Sequence, residues 1–277
     1  MPSEVLSPAP VARGPADPMP TIPHVGHLPV LTFHAIEASD SPIAFPGRLF
    51  AELLRLAAEH GYRTISLGAA QACLAAGTGF PARSVVMTFD DGYRSVFAEA
   101  YPRLRDHGFS ATLFLTVGET SDGGARERMP SLGGREMLNW DEVTELAKAG
   151  WEIGAHSLSH PDLRRIPLAH AIREMSESKR RIEQRLGSTV TAFAYPYGRS
   201  NACVREWLAR EYLCACGVSP GLVSSHSDPL ALPRLDMYYL RSRILLPLLF
   251  SPWLPPYLLL RRIPRRLRAL IREGFGT

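Results

Sequence analysis

Ser84–Ser95 reads SVVMTFDDGYRS. An apolar, β-branched run enters two adjacent aspartates, Asp90 and Asp91, then Gly92, and a helical pattern follows from Tyr93. The run predicts a buried strand over Ser84–Phe89. Two neighbouring carboxylates at the end of such a strand repel one another, and burial disfavours both charges. As an isolated tetrapeptide, Phe-Asp-Asp-Gly is also an ordinary turn after a strand. The chemical reading is that one aspartate ligates a cation while the other stays free beside it as a general base.

The pattern on either side is repetitive. Strands are expected at Leu28–Phe33, Tyr62–Ser66, Ala111–Val117, Trp151–Ala155, Thr189–Tyr195 and Tyr212–Val218. Between them, helices are expected at Phe50–Glu59, Gln71–Ala76, Tyr93–His107, Asp141–Ala149 with Asn139 as cap, Pro167–Leu186 and Asn201–Arg210. Gly118–Met137, rich in glycine and charge, reads as a mobile loop. Strand and helix alternate almost throughout, which is the mark of a mainly parallel α/β domain, and seven or eight units suggest a barrel. In such barrels the chemistry gathers at the C-terminal ends of the strands. His34, the Asp90–Asp91 pair, His156 and Tyr195-Pro196 all stand at such ends.

His156 and His160 lie in HSLSH. Four residues apart on a helical turn, both imidazoles can face one point. With a third protein ligand this is a geometry for a divalent metal, and without one it is a pair of satisfied histidines. A carboxylate at a neighbouring strand end, from FDDG, favours the metal.

TFDDG at Thr88–Gly92, HSLSH at His156–His160 and FAYPYG at Phe193–Gly198 together resemble, in order and spacing, the first three motifs of the polysaccharide deacetylase family. This is the NodB-homology domain of carbohydrate esterase family 4, and the resemblance covers about Leu28–Tyr239. It implies a distorted (β/α) barrel with about seven strands and metal-dependent hydrolysis of N-acetyl or O-acetyl groups on sugars. By the same resemblance Asp90 corresponds to the catalytic base, and Asp91, His156 and His160 to the metal ligands. Tyr197 corresponds to the residue whose backbone N–H faces the oxyanion.

The chain departs from that family twice. Ala194 stands where an arginine is common, and Arg234, in ALPRLDM, is the candidate to orient Asp90 and lower its pKa instead, with Asp236 as its own possible partner. No histidine follows Tyr239 to serve as general acid. His34, in VLTFHAI, offers one near the N-terminus, as in the circularly permuted poly-N-acetylglucosamine deacetylases that the chain resembles. A His₂Asp set suits Zn²⁺ first, with Co²⁺, Ni²⁺ or Mn²⁺ also fitting.

The 277 residues are 45% hydrophobic and 21% charged, enough for a large core. The four cysteines show no framework spacing, so free thiols are expected. Residues 1–27 carry seven prolines and no apolar signal-like region, and read as a disordered or extended arm. A cytoplasmic location is the resulting expectation.

Residues 240–277 hold eight Arg, no Lys and one Glu, a charge of +7 against +4 for the whole chain. The rest of the chain is therefore acidic, which argues against a nucleic-acid partner. Within this tail Ile244–Leu260 is uncharged but broken by four prolines, unlike a membrane span. It suits either an interfacial anchor on anionic lipid at the inner membrane face or an arm packed on the barrel. The expected activity is N-deacetylation of an N-acetylhexosamine in a polysaccharide or lipid-linked precursor, as in exopolysaccharide assembly. O-deacetylation and a non-catalytic sugar-binding scaffold are the alternatives.

Overall fold

Eight parallel strands form the central sheet: β1 (Val30–Phe33), β2 (Arg63–Thr64), β3 (Ser84–Phe89), β4 (Thr112–Leu115), β5 (Glu152–Ala155), β6 (Ala192–Ala194), β7 (Cys214–Cys216) and β8 (Leu235–Asp236). The computed structural model describes residues 24–118, 129 and 131–260. The strand order is β7-β6-β5-β4-β3-β1-β8, with β2 beside the first residues of β3. Residues 229–234 bring the two edges together. Ala215 N–H donates to Pro229 O at 2.8 Å, Leu232 N–H to Ala215 O at 2.8 Å and Gly217 N–H to Leu232 O at 3.0 Å. The sheet thus curls into the distorted barrel that the alternating pattern implies.

Alternation along the strands sorts the side chains. In β3, Val85, Met87 and Phe89 join the large cluster under the helices, while Val86 joins the smaller interior cluster. Phe114 is one of the two phenylalanine rings of that interior cluster. Gly154 faces it so closely that a Cβ would lie 2.5 Å from the ring, so only glycine fits there. The outer layer holds α1 (Gly47–Glu59), α3 (Tyr101–Asp106), α4 (Trp140–Lys148), α5 (Leu168–Leu186) and α6 (Ala202–Leu208). α2 (Leu67–Ala76) begins at the barrel floor, where Leu67 N–H donates to Thr112 Oγ1 and Gly68 N–H to Glu152 Oε2.

Several elements differ from expectation. The helix expected over Tyr93–His107 is a π-helical turn, Val96–Ala100, followed by α3. Pro102 has no N–H to give Ala98, and the turn before it widens. α2 starts four residues earlier than its apolar pattern, because Ser66 caps it by accepting from Ala69 N–H. Asn139 does cap α4, in a capping box with Glu142. Pro167 is the N-cap of α5 and not its first turn. Residues 24–27, assigned to the arm, pair with Phe80–Pro81 and Val223–Ser224. Residues 1–23, most of the Gly118–Met137 loop and 261–277 lie outside the described residues.

The apolar tail packs on the barrel over part of its surface. Arg241 donates to the carbonyls of Ser39, Ser41 and Ala44. Leu246, Leu249, Leu254 and Leu258 are buried, and Phe250 sits 5.1 Å from both the His60 and Tyr62 rings. Among the described residues no helix is long and apolar enough to cross a membrane.

Candidate active site

β3 continues its inward series past Thr88 to Asp90, whose N–H donates to Phe33 O at 3.0 Å. Strict alternation would send Asp91 outward into the helix layer. Instead Asp91 adopts φ +75° and its side chain turns to the same barrel mouth. A left-handed backbone is uncommon outside glycine but tolerated by aspartate.

Asp90 and Arg234 form a fully buried bidentate pair. Arg234 Nη1 donates to Asp90 Oδ1 at 2.8 Å and Nη2 to Oδ2 at 2.7 Å. Arg234 also donates to Thr88 Oγ1 and to Gly217 O, and its guanidinium lies 5.7 Å from the Phe114 ring centre. Ala194, at the place of the family's usual arginine, shares the interior cluster with that ring. Burial pushes the Asp90 pKa up, but the Arg234 charge, aided by His156, carries it below the ordinary carboxylate value. Asp236 makes no hydrogen bond to Arg234. Its side chain caps the turn at Met237–Leu240 by accepting from Tyr238 N–H, because the two carboxylate oxygens of Asp90 already meet the guanidinium edge.

His156 follows β5, and its Nδ1 lies 2.7 Å from Ala194 O. A carbonyl can only accept, so Nδ1 carries the proton and Nε2 keeps a lone pair. That lone pair faces Asp91 Oδ1 at 3.3 Å, and His160 Nε2 faces the same oxygen at 3.4 Å. Asp91 Oδ1 is buried and has no hydrogen-bond partner. Three acceptor atoms turned toward one point repel unless a cation stands among them, so the donor set fits a divalent metal. The charges agree. Burial alone would lower the His156 pKa, yet Asp91 and Asp90 raise it, so the site favours positive charge. Burial and the neighbouring His156 hold His160 down to about 4, so its imidazole is neutral at physiological pH and free to ligate.

The HSLSH segment is not a helical turn. Ser157 and His160 have φ of +68° and +61°, and the chain forms a tight loop. Glu174, on the buried face of α5, holds that loop. Its Oε2 accepts from Leu158 N–H at 2.8 Å and Ser159 N–H at 2.9 Å, and its Oε1 from Ser159 Oγ at 2.7 Å. Glu174 was not among the residues singled out from sequence. The available signal was a carboxylate between Ala171 and Met175 on an otherwise inward-facing helix stripe. Glu174→Ala is expected to weaken zinc affinity about tenfold to a hundredfold, with Glu174→Gln recovering most of it. Competition against a chromophoric chelator measures this, and unchanged affinity in the alanine variant would show that the loop holds itself.

His34, just past β1, lines the same cavity of about 310 Å³ as Asp90, Asp91, His156 and His160. Tyr197 is on its rim with φ +57°, the residue 57% exposed and its ring centre 4.7 Å from that of His160. Gly198 follows at φ +64°, and a Cβ there would strike Val218 at 2.1 Å. Among the described residues no backbone carbonyl accepts the Tyr197 N–H. Two buried side-chain atoms among the described residues lack a partner, Asp91 Oδ1 and Thr32 Oγ1, and both belong to residues lining this cavity. Sequence reasoning did not single out Thr32, whose inward register opposite Thr88 is visible only in the sheet. The structure therefore gathers all seven of the expected site residues around one barrel mouth.

At the mouth of this parallel barrel an arginine-held carboxylate stands beside an Asp-His-His set with the donors to hold a metal ion. The sequence profile of the polysaccharide deacetylase family matches residues 78–212. YxkH of Bacillus subtilis (strain 168), named for the polysaccharide deacetylases, is 27% identical over 209 residues, 75% of this chain and 70% of its own. The poly-β-1,6-N-acetyl-D-glucosamine N-deacetylase of Staphylococcus aureus (strain N315) is 29% identical over 131 residues, 44% of this chain and 43% of its own length. Among solved structures, the Streptococcus pyogenes deacetylase PplD superposes with a TM-score of 0.69 at 25% identity, covering 77% of this chain and 93% of its own. IcaB from Ammonifex degensii shares the fold, with a TM-score of 0.67 at 22% identity and coverage of 78% and 95%. Residues 78–212 thus match the polysaccharide deacetylase family, and the chain resembles its hydrolases in sequence and in fold.

Proposed function

We propose that this protein is a metal-dependent carbohydrate N-deacetylase that releases acetate from N-acetylhexosamine in a polysaccharide or a lipid-linked sugar precursor. The observation that carries the reading is the unpartnered Asp91 Oδ1 between two imidazole nitrogens, one residue from the Asp90–Arg234 pair. Asp91, His156 and His160 would hold the ion, with Zn²⁺ first among candidates. A divalent cation there supplies Lewis acidity, polarising an acyl carbonyl and acidifying water.

The remaining steps fall to the chain's own groups. Asp90, kept ionised by Arg234, takes a proton from the attacking water as the C–O bond forms. The Tyr197 N–H faces the oxygen on which negative charge develops. His34 gives a proton to the sugar nitrogen as the C–N bond breaks, leaving acetate and a free amine. An amine is a poor leaving group unless protonated, so an acid in this cavity supports amide over ester hydrolysis. The S. aureus N-deacetylase among the relatives supports the same substrate class.

Zinc-loaded protein is expected to release acetate and free amine in equal amounts from soluble N-acetylglucosamine oligomers or a lipid-linked N-acetylhexosamine. Chelator should abolish release and added zinc should restore it. Release from O-acetylated sugars alone would replace this reading with O-deacetylation. Metal-independent release would sink it.

A further inference from the structure

The backbone of residues 254–260 is helical. Pro255 and Pro256 stand in the first turn, where N–H groups have no intrahelical acceptor and proline is tolerated. Leu254 and Leu258, four apart, are buried against the barrel, and Tyr257 beside them donates through its hydroxyl to Tyr239 O at 2.9 Å. The opposite side is apolar as well. Trp253, Pro256 and Leu260 follow at helical spacing with Leu259 beside them, and Trp253, Leu259 and Leu260 are 69%, 63% and 67% exposed. A helix that is apolar all round is stable when something covers both sides. The barrel covers one.

We infer that the outer side of this helix docks on the surface of an anionic lipid bilayer. Charge identifies the occupant. The helix leads into RRIPRRLRALIREGFGT, with six Arg, no Lys and one Glu, and Arg241 and Arg243 precede it. Apolar side chains including a tryptophan, flanked by arginines, match the boundary between acyl chains and anionic headgroups. A second copy of this chain carries the same excess of arginine in residues 240–277, so its charge does not complement this face. Tyr257 ties the helix to Tyr239, three residues beyond Asp236 on the wall of the active-site cavity. Docking there would bring lipid-borne glycan close to that cavity, and this last consequence rests on the deacetylase reading.

Co-sedimentation of the full chain with vesicles tests the surface. Binding is expected to phosphatidylglycerol–phosphatidylcholine vesicles and not to phosphatidylcholine alone, and to weaken with salt. Trp253→Ser combined with Leu259→Ser and Leu260→Ser is expected to weaken it at least about tenfold. Acetate release from soluble oligomers should be unchanged in that variant, which separates failure of docking from failure of the deacetylase reading. No binding to anionic vesicles, or binding indifferent to the substitutions, would overturn the inference. So would a dimer in solution that the same substitutions dissociate, since a second copy would then cover the face.

Discussion

Asp90→Asn is expected to lower kcat by about a thousandfold while leaving the bound metal in place, because proton abstraction by a positioned carboxylate contributes on that order. It should also destabilise the protein, which is unusual for so small a change. Arg234 is buried, and both of its Nη atoms spend hydrogen bonds on the Asp90 carboxylate. Asparagine keeps one acceptor and turns an NH₂ toward the guanidinium. Removing one partner of a buried ion pair leaves the other charge uncompensated, at a cost of about 3 kcal/mol. Urea denaturation, metal content and acetate release on one preparation check all three statements. An active Asp90→Asn protein would remove Asp90 from the base role. An inactive one of undiminished stability would show that the Arg234 charge is satisfied elsewhere.

Arg234→Met should change the pH profile more than the fold of the mouth. Burial is the largest influence on Asp90 and acts to raise its pKa, and Arg234 is the first of the groups that oppose it. Without the guanidinium the balance reverses, and the carboxyl pKa moves above its ordinary value. Buried carboxyls of this kind titrate as high as about 8 to 9. The acid limb of kcat/KM is then expected to move to higher pH, with activity at pH 7 about tenfold to a hundredfold down and partly recovered at alkaline pH. Arg234→Lys, which keeps the charge and loses the bidentate geometry, should return the limb most of the way. A rate lowered equally at every pH would mean that Arg234 acts only as packing over Phe114.

The strand centres were legible because buried parallel strands read as continuous apolar runs, and β3 kept its expected ends. The shorter strands did not, since pairing stops where neighbours diverge and sequence carries no record of the neighbour. Asp90, Asp91, His156 and His160 were legible because their residue types and spacing are jointly rare. The geometry that makes HSLSH converge was misread. An i, i+4 pair suggests a helix, whereas two positive φ values and the Glu174 carboxylate fold the segment into a loop. Arg234 was reached through the departure at Ala194, although its bond to Asp90 spans 144 residues. Closure of the barrel by 229–234 was out of reach, because it rests on backbone hydrogen bonds that no side chain announces. The tail posed two alternatives, and its inward side chains bear out packing on the barrel, while the outward ones leave a surface to be tested.

The most direct measurement is a zinc-edge anomalous difference map from crystals of the zinc-loaded protein. The expected result is one peak at the barrel mouth, about 2.0–2.2 Å from Asp91 Oδ1 and from the Nε2 atoms of His156 and His160. The same map from Asp91→Ala crystals should be empty there. A peak elsewhere, or none beside ordered His156 and His160, would contradict the assignment of these three residues as a metal site, and with it the hydrolytic chemistry built around Asp90.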